Sequence, residues 1–314
     1  MFILLSWSIY TKITEQYTLQ QLWTLFSDAF SKSNRGYMLL LLLLMGMNWT
    51  LEAIKWKMLM KPLQNVSLFT ACKAVLSGLS FSMFVPTAAG EYIGRTLYIE
   101  EGSRLRSVPL SIVGSISQLI VTLIAGIAGI LYTRDYLVQN GSQSLSLSSI
   151  WLSGLMYAVT AAVFVFLLIY FQISWFARWF EKIPFIQKHR IFVQSLEEFE
   201  KRQLTQILLL SALRYVVFIV QYLIVFRLFD VDIFWVQAAF ATAVLFLILS
   251  VIPSVPNIAE LGVRGEVSRQ LFGLLSANSA GIVFTAALIW IVNLIIPAIA
   301  GSLFLISIKI FRSK

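Results

Sequence analysis

Six charged residues sit where an apolar chain would not be expected to carry them. Glu91 and Arg95 close the stretch FVPTAAGEYIGR (84–95), and Glu260, Arg264, Glu266 and Arg269 fall within or just after VIPSVPNIAELGVRGE (251–266). A charge at membrane depth costs roughly 2.5–3.5 kcal/mol on insertion scales, so each of these needs a partner or water. Glu91 and Arg95 are at i, i+4, as are Glu260 and Arg264, which sets each pair on one helical face. An arginine's planar fork suits a phosphate, to which it donates two hydrogen bonds together. The carboxylates could hold those arginines in place, receive a cationic headgroup or carry protons. The plainer alternative is a set of ion pairs that only tie broken helices together.

Each charged stretch follows an apolar run and interrupts it. Pro86, Gly90, Pro253, Pro256 and Gly262 are the expected hinges. Proline and glycine release backbone groups from the helical ladder, and in hydrocarbon those groups cannot turn to water. Such breaks are tolerated where they are buried in protein or line a wet cavity. Broken helices of this kind, present once in each half of a chain, are a transporter arrangement.

Composition fixes the class. The chain has 314 residues, 59% hydrophobic and 12% charged, against about 45–50% and about 25% for soluble domains. It reads as an all-α polytopic membrane protein. The net charge of +9 fits basic cytoplasmic loops rather than nucleic-acid binding. With Cys72 and His189 the only residues of their kinds, neither a metal site nor a Cys–His nucleophile pair is expected. No cofactor is implied, no GK[ST] nucleotide loop occurs, and no enzyme-like cluster is evident.

Apolar runs predict spans over 37–60, 109–132, 151–171, 204–229 and 280–309, with interrupted arms at 67–85 and 233–252. Residues 1–13 are apolar but short, and read as half a helix or an interfacial segment without a signal-peptide pattern. Residues 14–36 are amphipathic, 133–149 read as a polar loop, and 174–203 read as a basic amphipathic segment on the headgroups. Asn48 and Glu52 share one face of the first secure span; Lys55 at i+3 favours a structural role for that carboxylate. Gly114, Gly126 and Gly129 permit close helix packing, and Asn293 with Pro297 predicts a kink.

Basic loops put 55–61, 95–106, 174–203 and 309–314 in the cytoplasm, and these placements agree if each interrupted arm enters and returns on one side. Three full spans then lie between the two hairpins, so the second is inverted relative to the first. The expected organisation is an N-terminal region, 1–36, and one membrane domain, 37–314. Within that domain, repeat 1 covers about 37–132 and repeat 2 about 204–314, and each contains a broken or re-entrant helical hairpin. Aligning Pro86 with Pro253 also pairs Ala71 with Ala238 and FVPT with VIPS.

The segment PTAAGEYIGR (86–95) resembles the proline-containing GE segment of the lysylphosphatidylglycerol synthase transmembrane-region family. The second, IPSVPNIAELGVRGE (252–266), is similar to that family's IP-then-GVRE signature. Here Gly265 intervenes between Arg264 and Glu266, and Asn257 stands where a glycine is often found. The Trp-containing NWTLEAIKW (48–56) also fits, so the resemblance runs from about residue 37 onwards. In bifunctional members this region precedes a soluble aminoacyltransferase domain and is linked to flipping aminoacylated phospholipid. The resemblance therefore implies a stand-alone flippase-like protein.

The expected function is translocation of a phospholipid or isoprenoid-linked headgroup in a bacterial inner membrane, with the C-terminus cytoplasmic. Arg95 and Arg264 would contact phosphate; Glu91 and Glu260 would orient them or meet a cationic headgroup. Glu266 and Arg269 complete the substrate-binding shortlist. Expected partners are membrane lipids, with a second copy of the chain or a lipid-modifying enzyme as further candidates. Two other readings stay open, a secondary transporter of a small anionic solute and an accessory subunit of a lipid-modifying enzyme.

Overall fold

The computed structural model describes residues 18–84, 88–139, 146–175, 196, 199–252 and 257–312. The hinge prolines 86, 253 and 256, residues 1–13 and most of 174–203 lie outside these. Every regular element among the described residues is helical. In chain order they are α1 (Leu19–Ala29), α2 (Arg35–Met60), α3 (Leu68–Phe84), α4 (Ala88–Thr96), α5 (Arg104–Gln139), α6 (Ser146–Phe171), α7 (Lys201–Leu228), α8 (Trp235–Val251), α9 (Asn257–Phe272), α10 (Ser279–Trp290) and α11 (Ile296–Arg312). A π-helical turn, Ile291–Ile295, joins the last two.

Among the described residues, four stretches are long and apolar enough to cross a membrane: Lys32–Met60, Glu101–Thr133, Lys201–Leu228 and Ser279–Ile306. Their outward residues confirm the solvent they expect. In α2, Leu41 is fully buried while Leu39 and Leu43 are about 60% exposed. A leucine-rich face of this kind would be an aggregation surface in water and is at home against acyl chains. The polar stretch 133–149 is largely helical, because α5 continues to Gln139 and α6 starts at Ser146. Polarity ends a membrane span without ending a helix.

Helix lengths recur along the chain. Leu68 and Phe84, the ends of α3, lie 167 residues before Trp235 and Val251, the ends of α8. The long helix before each is 26 or 28 residues, and the charged helix after each starts 169 residues apart, at Ala88 and Asn257. The hinge candidate Gly90 sits in the first turn of α4, whereas Gly262 is an interior residue of α9.

The chain divides into two compact units. One holds residues 48–124, 144–215 and 297–314, with a core built on Trp56, Leu59, Leu110, Ile120, Tyr170 and Leu204. Within it, α3 and α4 pack against one another as a hairpin through glycine. A Cβ on Gly94 would stand 2.6 Å from Gly78 Cα and 2.7 Å from the Ser77 carbonyl oxygen. Gly114 lies equally close to Leu59, as its small size predicts.

The other unit holds residues 1–47, 125–143 and 216–296, and packs Leu41, Tyr222, Phe226, Phe229, Phe272 and Ile282 together. Gly126 and Gly129 of α5 meet Leu247 and the Phe240 carbonyl of α8. The amphipathic α1 starts in a capping box, in which Thr18 Oγ1 accepts from the Gln21 amide and Gln21 Oε1 accepts from the Thr18 amide. Its Phe26 ring meets Phe284 edge-on at 6.2 Å. The expected kink is the π turn. Pro297 has no amide hydrogen to offer the Asn293 carbonyl, and a wider turn absorbs that loss. Asn293 Nδ2 there donates to Gln221 Oε1 at 3.0 Å.

Asn278 ties a left-handed residue to a helix start. Its Oδ1 accepts from the Gly281 amide at 2.8 Å, while its Nδ2 donates to the Phe229 and Asp230 carbonyls at 3.0 Å each. Asp230 itself has φ 52°. Asn278→Ala removes the cap and both ties, and is expected to cost about 1–2 kcal/mol. A fall in the thermal unfolding midpoint in detergent would show it; an unchanged midpoint would refute it.

Candidate functional site

The first charged pair belongs to a larger cluster centred on Glu52. This residue lies in the second half of α2, one turn beyond Asn48 on the same face. One carboxylate oxygen, Oε2, accepts from Lys55 Nζ at 2.7 Å and from Arg214 Nη1 at 2.7 Å. The other, Oε1, accepts from Arg95 Nη2 at 3.1 Å. Arg95 Nη2 also pairs with Glu91 across one turn of α4. Arg214 Nε donates to Asn48 Oδ1 at 2.7 Å, and its guanidinium lies 5.3 Å from the Trp49 ring centre. One carboxylate thus gathers cations from α2, α4 and α7.

Burial makes this arrangement demanding. The side chains of Glu52, Lys55 and Arg95 are each about 2–5% exposed, whereas that of Glu91 is 33% exposed. Lys55 makes further long contacts with the Gly114 carbonyl (3.4 Å) and Ser211 Oγ (3.5 Å), and Ser211 meets Ser117 at 2.7 Å. Gly78 makes room for Arg95, since a Cβ there would stand 2.8 Å from Arg95 Cγ. Among the described residues in contact, three cations face two carboxylates. The Nε of Arg95 is buried without a hydrogen-bond partner. In the same unit, Met58, Lys61, Glu200, Arg202, Gln203 and Gln206 line a polar cavity of about 490 Å³.

The second charged stretch makes two separate pairs on α9. Arg264 Nη2 donates to Glu260 Oε1 at 2.8 Å, the i, i+4 contact expected from the spacing. Arg269 grips Glu266 with two bonds, Nη2 to Oε1 at 2.7 Å and Nε to Oε2 at 3.0 Å, and Gln270 adds a third donor to the same carboxylate. The phenol of Tyr222 lies beside the Arg264 guanidinium, and Arg264 Nε is buried without a hydrogen-bond partner.

All six shortlisted residues are therefore in ion pairs, four of them on α9 alone. Sequence reasoning passed over Asn48, Glu52, Lys55 and Arg214 as members of the Arg95 cluster, and Tyr222 beside Arg264. One signal was available. Glu52 and Arg214 are opposite charges buried in two different spans, and each needs a partner at that depth.

Four apolar stretches long enough to span, an all-helical fold and buried ion pairs between helices, all among the described residues, define a polytopic α-helical membrane protein. The chain belongs to the family described as the lysylphosphatidylglycerol synthase TM region, whose model matches residues 8–301. No curated protein matches it.

Proposed function

We propose that this protein moves a phosphate-bearing lipid headgroup, of a phospholipid or an isoprenoid-linked lipid, between the leaflets of a bacterial inner membrane. The observation that carries this reading is the buried Glu52 cluster, which puts arginine donors inside a chain whose outer faces are built for acyl chains. Arg95 and Arg264 contact the phosphate, the Glu266–Arg269 pair braces α9, and the α3–α4 hairpin acts as a re-entrant element. Membership of a membrane family associated by name with a phospholipid supports a lipid substrate. The basic residues Lys309, Arg312 and Lys314 support a cytoplasmic C-terminus. The protein performs no covalent chemistry in this reading.

The test is a headgroup-accessibility assay in liposomes with labelled anionic, zwitterionic, aminoacylated and isoprenoid lipids. Wild type should flip at least one class, and Arg95→Ala and Arg264→Ala should slow it by about tenfold or more, as expected for losing a charge-assisted contact. Absence of flipping across all four classes overturns the proposal.

A further inference from the structure

We propose that Glu91 occupies the place of the substrate's anionic oxygens, and that a phosphate exchanges with it on Arg95. This rests on the lipid-headgroup reading above and specifies how that site opens. The two carboxylates on Arg95 are unequal. Glu52 is buried and shared among three cations, whereas Glu91 has one cation among its contacts and a side chain 33% exposed. Glu91 can turn its carboxylate outward by rotating its own side chain. Glu52 cannot leave without taking a carboxylate from both Lys55 and Arg214.

Exchange also leaves the buried charge unchanged, because one anion departs as another arrives. Glu52 keeps Arg95 aimed while the place is vacant. Both existing carboxylate contacts use Nη2, so the buried, unpaired Nε is a spare donor. A phosphate can take Nη2 and Nε together as a fork, which a carboxylate reaching back from position i−4 does not do here.

The matching pair on α9 provides the contrast. Glu260 and Arg264 stand 169 residues after Glu91 and Arg95, with the same Nη2 contact and the same spare Nε. The residue 169 positions after Glu52 is Gln221, so no second carboxylate steadies Arg264. Glu260 leaving would strip Arg264 of the only carboxylate in contact with it among the described residues. Exchange therefore belongs to Arg95.

Isothermal titration of the purified protein in detergent tests this, using dihexanoyl phosphatidylglycerol and, separately, inorganic phosphate. Glu91→Gln should bind about tenfold more tightly than wild type, since its internal competitor has lost its charge. Glu91→Asp, one methylene shorter and still charged, should also bind more tightly and serves if the glutamine variant does not fold. Glu101→Gln, which alters an exposed carboxylate paired with Arg104, should leave affinity unchanged, and Arg95→Lys should abolish binding. A gain with both probes assigns recognition to the phosphate alone; a gain confined to the lipid assigns it to the phosphate within its headgroup. Either supports exchange. Unchanged affinity in both Glu91 variants, or an equal gain in Glu101→Gln, overturns it. Flipping by wild type with no Glu91 effect removes the exchange and keeps transport, while tighter Glu91→Gln binding without flipping does the reverse.

Discussion

Glu52→Leu is expected to lower stability by about 3–5 kcal/mol, the loss seen when one partner of a buried ion pair is removed. Among the described residues, the substitution leaves Lys55 buried with only the two contacts of 3.4 and 3.5 Å to oxygen atoms. It also takes a carboxylate from Arg95 and Arg214. Glu52→Gln should cost less, because an amide oxygen still accepts one hydrogen bond. Adding Lys55→Met to Glu52→Leu should recover part of the loss, since it deletes a stranded charge and fills the space with apolar atoms. Thermal unfolding in detergent is the readout. A midpoint for Glu52→Leu within error of wild type would show that the cluster contributes no net stability.

Gly94→Ala is expected to cost about 1–3 kcal/mol, the usual range for overpacking. The obstruction is backbone, Gly78 Cα at 2.6 Å and the Ser77 carbonyl at 2.7 Å, so no side chain can rotate aside to relieve it. The helices α3 and α4 must separate instead. Because Arg95 is the next residue, its guanidinium would retreat from Glu52, and binding should fall together with stability. Gly46→Ala and Gly154→Ala are the controls. A Cβ at either site meets nothing within 4 Å, and alanine is the better helix former by about 1 kcal/mol. Equal losses at Gly94 and Gly46 would argue against the close approach.

Local patterns in the sequence identified most helices, because apolar runs and charge spacing are short-range signals. Ser67 to Val85 reads as one arm and Pro109 to Tyr132 as one span, and α3 and α5 contain them almost entirely. The pairs Glu91–Arg95 and Glu260–Arg264 follow from helical spacing and are formed. Glu266 and Arg269 were recognised as charges, but their i, i+3 contact was not. The Glu52 cluster was hidden for a different reason. Its arginines lie 43 and 162 residues along the chain, and no local spacing links residues that meet only through tertiary packing. Lys55 at i+3 gave Glu52 a sufficient partner, which removed the reason to look for others. The polar residues from 133 mark the end of the apolar span but not of the helix, which runs on to Gln139, because loss of hydrophobicity is not loss of helix.

Glu52 and its three cations are not synthesised together. At about 5–20 residues per second, Arg95 follows Glu52 by roughly 2–9 s and Arg214 by roughly 8–30 s, given separations of 43 and 162 residues. During that interval the first apolar span must enter the bilayer with a carboxylate in its second half. Lys55 is the one partner that arrives in the same helix, and the pair enters with no net charge. Lys55 therefore acts first as an escort for Glu52 during insertion and only later as one of three cations around it. The order in which the helices emerge from the ribosome is thereby built into the charges they carry.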